Sequence, residues 1–289
     1  MAARVFVLTG AGISAESGIR TFRDAGGLWE QYRFEEVASP EGWQRHPETV
    51  WRFYAERRAQ AAGCRPNAAH LALAALERAI GERLFLCTQN VDDLHEQAGS
   101  GRVIHMHGQL MMSRCAACDR PPFADRAAHA GIPRCPCGRR LRPHIVWFGE
   151  MPFELDRISA ALEASDVFVT VGSSGAVYPA AGFVSAARAL SARRAAPVRT
   201  VYVGPEVPDN ARMFDESQPR EAPRARDGVP GSRRCRPAAS PARSRRASRC
   251  GCPGRSAGSE TSLSPDACRA KEKHRDATPG SSRGLSSYR

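Results

Sequence analysis

Nowhere in the sequence do apolar residues run on for the roughly 18 positions that a membrane-crossing helix needs, so no transmembrane span is expected. Nor is there room for a signal peptide before the first strand-like run at Val5, and a cytoplasmic location is expected. No internal repeat is evident. Apolar side chains are nearly missing from the last 71 residues, where Val229, Leu263, Leu285 and Tyr288 alone represent the aliphatic (Val, Leu, Ile, Met) and aromatic types. Such a segment cannot bury enough surface to offset its ordering entropy, so 219–289 reads as a disordered basic tail. Acidic residues are scarce there too: 17 Lys plus Arg stand against 6 Asp plus Glu. The remainder carries 25 against 24, so the formal charge of +12 belongs almost wholly to the tail. Basicity therefore argues for no nucleic-acid or membrane partner of the body, and any nucleic-acid contact would be non-specific and through the tail.

What is present begins with a strand-loop-helix. The apolar run from Val5 to Leu8 stops at Gly10-Ala11-Gly12 and passes into helix-compatible residues. The spacing of Gly10, Gly12 and Ala15 fits the permissive dinucleotide fingerprint, in which glycines let backbone approach a pyrophosphate at a helix N-terminus. A simple tight turn explains the same residues. Further on, Phe22 and Arg23 suit an apolar lid and a phosphate clamp, or equally a core anchor and a solvated charge.

Pro47 to Arg58 reads as a helix with Tyr54 and Arg57 on one face, a pairing suited to a carboxylate; Arg52, Arg57 and Arg58 as a solvated face is the alternative. A second helix opens at Pro66-Asn67, with an apolar stripe of Leu71, Ala72, Ala75, Leu76, Ala79 and Ile80, and ends at Gly81. Leu84 to Thr88 is a buried parallel strand ending in polar Gln89, Asn90 and Asp92, the position for ribose and amide hydrogen bonds, or for a helix cap. Val103 to Gly108 repeats the pattern, with His105 and His107 on opposite sides of a strand and one of them available as a base.

The chain has ten cysteines: Cys235, Cys250, Cys252 and Cys268 lie in the tail, and four of the other six form two close pairs. Cys115-x-x-Cys118 and Cys135-x-Cys137 suit a four-thiolate structural zinc site better than disulfides, although the second pair is one residue tighter than usual. An extended segment follows, in which Val146, Phe148, Gly149 and Glu150 could pair with a peptide strand or lie as an internal strand. Leu155 to Ala164 is helical, Asp166 to Val171 is a strand, and Gly172-Ser173-Ser174-Gly175 is a second small-residue loop. A helix from about Val177 and a last strand, Val198 to Val203, complete an alternation that means a doubly wound parallel sheet.

Taken together these residues resemble the sirtuin family, and most closely its bacterial NAD-dependent protein-lysine deacylases. The matching segments are Gly10 to Arg23, Thr88 to Asp92, Val103 to Gly108, the cysteine pairs, His144 to Glu150, and Gly172 to Gly175 with Tyr178-Pro179, in family order over about 4–216. The resemblance implies an α/β fold over 1–218. It comprises a Rossmann-like sheet and a small helical domain that carries the zinc module at about 110–143. NAD is then consumed as a co-substrate. The acyl oxygen attacks the nicotinamide ribose, nicotinamide leaves, and water finally releases free lysine and O-acyl-ADP-ribose.

By the same resemblance His107 is the base that activates a ribose hydroxyl. Gly10, Ala11, Gly12, Ile13, Glu16, Thr21, Phe22, Arg23, Gln89, Asn90, Asp92, Gly172, Ser173 and Ser174 line the NAD site. Tyr54 and Arg57 match the branch that accepts succinyl- and malonyl-lysine beside acetyl-lysine, while Val146, Phe148, Gly149 and Glu150 hold the substrate peptide. Acylated lysines of proteins are the implied partners, and a monomer is expected.

Two departures stand out. Gly204 replaces an asparagine that in the family helps hold the adenosine ribose. Beyond Phe214-Asp215-Glu216, the family's adenine-contacting loop and closing helix give way to a composition that resembles a GC-rich gene translated out of frame. Resequencing the locus tests that hypothesis, which an intact frame through Arg289 would sink. A zinc-ribbon protein with a nucleic-acid-binding tail, and an inactive relative that only binds an NAD metabolite, are the competing expectations.

Overall fold

The run Val5–Thr9 is apolar on both sides, as a strand covered on both faces requires. In the computed structural model it is the strand β1, and Phe6, Val7 and Leu8 are all buried. The structure describes residues 2–21, 33–192, 194 and 196–219. The expectations for Phe22, Arg23 and nearly all of the tail lie outside these residues.

Strands are numbered along the chain. β2 (Leu84–Thr88), β3 (Val103–His105), β7 (Val167–Val171), β8 (Arg199–Gly204) and β9 (Glu216–Pro219) join β1 in one sheet of order β3-β2-β1-β7-β8-β9. Every pairing in it is parallel. The order reverses beside β1, which creates a crevice at the carboxyl ends of β1 and β7. Register makes that crevice sharp. Thr9 pairs with both Thr88 and Val171, so the chain leaves three neighbouring strands at one level.

Helix α5 (Ala68–Ile80) covers one face of the sheet, its Leu73, Leu76 and Ile80 packing against Val7, Leu84 and Leu86. On the other face, α7 (Leu155–Ala164) and α8 (Phe183–Ser191) close over Phe6, Phe168 and Tyr202. A separate antiparallel sheet has the order β5-β4-β6, from β4 (Gly108–Cys115), β5 (Phe123–Ala124) and β6 (Leu141–Ile145). It packs through Leu110, Met111 and Ile145 against α4 (Pro47–Ala62), and carries the cysteines at its far end. Among the described residues no helix is long and apolar enough to cross a membrane.

Four local expectations need correction. The second histidine of the pair is not in a strand: β3 ends at His105, and His107 lies in the turn before β4. On α5 the buried face is His70, Ala74 and Glu77 with Leu73, Leu76 and Ile80, while Leu71 is 53% exposed. Polar residues with internal partners occupy that face, so counting apolar residues placed the stripe off-centre. The helix expected from Val177 begins only at Phe183, after a single tight turn at Ala180–Gly182. Finally, β8 is not the last strand. β9 adds a sixth, held by Asp215, whose carboxylate accepts from both the amide and the hydroxyl of Thr200.

Candidate active site

The two small-residue loops meet backbone to backbone. Gly10 N–H donates to Val171 O at 3.0 Å and Gly12 N–H to Gly172 O at 2.8 Å. A Cβ on Gly10 would lie 2.7 Å from Ser173 Cα, and one on Gly12 would lie 2.8 Å from Gly172 O. Gly172 has φ +61° and a Cβ there would strike Ile13 N, so both its conformation and its neighbours require glycine. Ala11 caps α1 (Gly12–Ala15), which is a single turn, so a pyrophosphate here would meet the loop amides rather than a long helix dipole. Ile13, Thr21 and Ser173 are buried, while Glu16 and Ser174 are exposed.

The polar end of β2 is tied into the same wall. Gln89 N–H donates to Thr9 O at 2.9 Å, and its side-chain amide reaches Ser173 Oγ at 2.9 Å. Ser14 Oγ accepts from Asn90 Nδ2 and donates to Asp92 Oδ2, each at 3.0 Å. Asp92 also accepts from Leu94 N–H at 3.2 Å. Its burial raises its pKa against those two hydrogen bonds, so this carboxyl is held by donors in a dry site.

His107 Nδ1 is 3.1 Å from Gln89 O. A carbonyl oxygen only accepts, so Nδ1 carries the proton and Nε2 keeps its lone pair. Burial lowers the pKa of His107, opposed by the Gln89 contact, and the ring stays neutral at pH 7. His105 does different work. It bridges Asn90 O at 3.1 Å and the Glu96 carboxylate at 2.7 Å. Burial lowers its pKa, but Glu96, Asn90 O and the nearby Asp92 carboxylate together outweigh that and the net shift is upward.

The remaining residues lie on α4 and after β6. Tyr54 is 6% exposed and its hydroxyl accepts from Trp147 Nε1 at 3.1 Å; burial raises its pKa. The Arg57 guanidinium sits 4.9 Å from the centre of the Phe53 ring. Arg58 is no surface charge: it is buried, donates to Leu110 O and Met112 O, and pairs with Asp125 at 3.1 Å, pinning α4 to β4. Glu150 takes a fork from Arg142 at 2.6 and 2.9 Å and the Trp147 amide at 2.9 Å, with Arg114 at 3.4 Å. Its pKa is lowered: burial pushes it up, and these contacts pull it down further. Val146 N–H donates to His107 O and Phe148 N–H to Ala38 O, each at 2.9 Å, so an added peptide strand would meet this segment through its carbonyls and Gly149.

Cys115, Cys118, Cys135 and Cys137 place all four sulfurs within 4.8 Å of one another. Tetrahedral zinc with Zn–S of about 2.3 Å needs edges of about 3.8 Å. The observed Cys115–Cys137 and Cys118–Cys135 separations of 3.5 and 3.8 Å fit. All four positions would be protein thiolates, so the metal would be structural, and the short Cys135-x-Cys137 pair closes the set despite its spacing.

Sequence reasoning missed three groups here. Ser14 links Asn90 to Asp92; it lay unremarked inside the glycine stretch. Asn67, read only as a helix start, also donates its amide to Ile13 O at 2.7 Å. Trp147 holds Tyr54 across 93 positions of sequence, which no local pattern marks.

A parallel sheet with its glycine crevice, a neutral histidine at its edge and a four-thiolate module together define a Rossmann-like nucleotide-binding protein with a structural metal site. A profile of the Sir2 family matches residues 10–179. A relative from Caulobacter vibrioides, named NAD-dependent protein deacylase, is 52% identical over 218 residues, 74% of this chain and 89% of that protein. An Escherichia coli protein of the same name is 54% identical over 189 residues, 64% of this chain and 68% of its own. The structure of a Sir2 homologue in complex with NAD is 41% identical with a TM-score of 0.66, covering 75% of this chain and 84% of that one. This chain belongs to the Sir2 family.

Proposed function

We propose that the protein is an NAD-dependent protein-lysine deacylase that removes acetyl, succinyl and malonyl groups and yields nicotinamide, O-acyl-ADP-ribose and free lysine. The observation that carries this reading is the His107–Gln89 contact. It leaves an unprotonated Nε2 on a ring anchored at the carboxyl edge of the sheet to Gln89, the residue before Asn90. NAD supplies the activated glycosidic bond whose cleavage drives the transfer. Gly10, Gly12 and Gly172 shape the floor for its phosphates, with Ala11, Ile13, Glu16, Thr21 and Ser174 around it, and the family resemblance adds Phe22 and Arg23 to the set. Gln89, Asn90 and Ser173 hold ribose, and Asp92 holds the carboxamide. His107 takes the proton of a ribose hydroxyl at Nε2.

The substrate lysine enters between β6 and α4, its backbone beside Val146, Phe148, Gly149 and Glu150. Tyr54 and Arg57 receive the distal carboxylate of a succinyl or malonyl group, an ion pair with a hydrogen bond that a neutral acetyl group does not need. Zinc bound by Cys115, Cys118, Cys135 and Cys137 supports the small sheet. The test is to incubate the purified chain with NAD and acetylated or succinylated peptide, following peptide mass and nicotinamide. Loss of the acyl mass with either peptide supports the reading; an unchanged mass from a folded protein contradicts it.

A further inference from the structure

The buried bond between Trp147 and Tyr54 has no role in the chemistry described so far. An indole N–H only donates, so Tyr54 Oη must accept it, and the hydroxyl proton has to point elsewhere. Among the described residues Tyr54 Oη has no other hydrogen-bond partner. Trp147 is itself fixed. It is 2% exposed, its backbone amide donates to Glu150, and the Arg142 guanidinium lies 3.3 Å from its ring centre. Arg142 is in turn forked onto Glu150. A cation over the indole face draws electron density from the ring and strengthens Nε1–H as a donor.

We propose that Trp147 is a specificity-positioning residue: by donating to Tyr54 Oη it aims the Tyr54 hydroxyl proton at the carboxylate of a bound succinyl or malonyl group. The inference rests on the carboxyacyl reading of Tyr54 and Arg57. The Glu150–Arg142–Trp147–Tyr54 series then links the segment beside the substrate backbone to the group that reads the acyl chain. When a carboxylate accepts from Tyr54, Oη becomes a better acceptor, and the Trp147 bond tightens. A neutral acetyl group, which gives Tyr54 no carboxylate, leaves that bond as it was.

Two measurements on the full chain test this. In Trp147→Phe the ratio of kcat/KM for succinylated over acetylated peptide falls about tenfold, the worth of one hydrogen bond to a charged acceptor, mainly through KM. In a Tyr54→Phe background the same substitution leaves the ratio where Tyr54→Phe put it, because the two groups act through one hydroxyl. An unchanged ratio in Trp147→Phe, or additive losses in the pair, overturns the proposal.

The second measurement needs no change at residue 147. The sequence has four tryptophans, and Trp29→Phe, Trp43→Phe and Trp51→Phe assign the other three indole N–H signals. Succinylated peptide moves the Trp147 indole proton downfield and acetylated peptide does not; equal shifts with both overturn the proposal. A wild-type chain that removes acetyl but not succinyl groups refutes the carboxyacyl reading itself. A desuccinylase whose ratio ignores Trp147 refutes this inference alone.

Discussion

Two histidines beneath the nucleotide crevice make the protein acid-sensitive in a calculable way. His70 and His95 are fully buried, with ring centres 4.9 Å apart and planes at 62°. His70 accepts at Nδ1 from the Asn67 amide, and Asn67 in turn holds Ile13 O of the glycine loop. His95 Nε2 is 3.0 Å from Thr9 Oγ1, which donates to Thr88 Oγ1, the acceptor of Asn90 N–H. Both walls of the crevice therefore lean on this pair.

Burial lowers the pKa of His70 to about 4 and that of His95 to about 3, the latter helped by the charges of His70 and His105. In the unfolded chain both titrate near 6.5. Below that value the unfolded state binds protons that the fold does not, and stability falls with pH at up to about 1.4 kcal/mol per unit per histidine. Between pH 7.5 and 4.5 the pair costs on the order of 5 kcal/mol, comparable to the whole stability of a marginal domain. His105, with its raised pKa, works the other way: it adds stability below its unfolded value, and that contribution fades as pH rises through its folded one.

Urea midpoints at pH 7.5, 6.5, 5.5 and 4.5 for wild type and a His70→Asn, His95→Asn double variant measure the difference. The reasoning requires a clearly shallower acid slope in the variant; parallel slopes would refute it.

Other expectations follow from single contacts. Gly12→Ala forces a methyl group against Gly172 O, so the variant should melt lower by about 1–3 kcal/mol of stability and bind NAD more weakly, as thermal shift with and without NAD would show. Arg58→Met strands the buried Asp125 carboxylate, which also takes Ser113 Oγ at 2.6 Å and His129 Nε2 at 2.7 Å. A loss of about 3–5 kcal/mol is expected in urea unfolding, with Asp125→Asn in the same chain recovering part of it. Cys115→Ser, or a strong chelator, should release one zinc per chain by colorimetric assay and lower the melting temperature, with the module around β4 and β6 the first to exchange amide hydrogens.

Much of the fold could be read from the chain because its strands are apolar on both faces and end in glycine or polar residues. Leu84–Thr88 and Leu155–Ala164 fall where periodicity puts them. The cysteines were legible from spacing, since thiolates must converge on one metal. Contacts across long sequence distance left no such trace. Arg58 looks like one of three surface arginines, and only the fold brings Leu110 O, Met112 O and Asp125 to it. His70 and Glu77 break the apolar stripe of α5 because each finds an internal partner: Asn67 for the one, Gly101 N–H and Arg102 for the other. β9 was hidden for a different reason. Glu216–Pro219 has no apolar alternation to mark it; it pairs through backbone with β8, and Asp215 just before it is tied to Thr200.

The central claim is that His107, kept neutral by burial and held by Gln89 O with its proton on Nδ1, is the base of an NAD-consuming deacylation. The direct measurement compares wild type and His107→Ala, both shown folded by circular dichroism, in the same assay of NAD with acetylated and succinylated peptide. The account predicts loss of acyl mass and stoichiometric nicotinamide with wild type, and a fall of at least about 100-fold in both with His107→Ala. Full activity in the variant would contradict it.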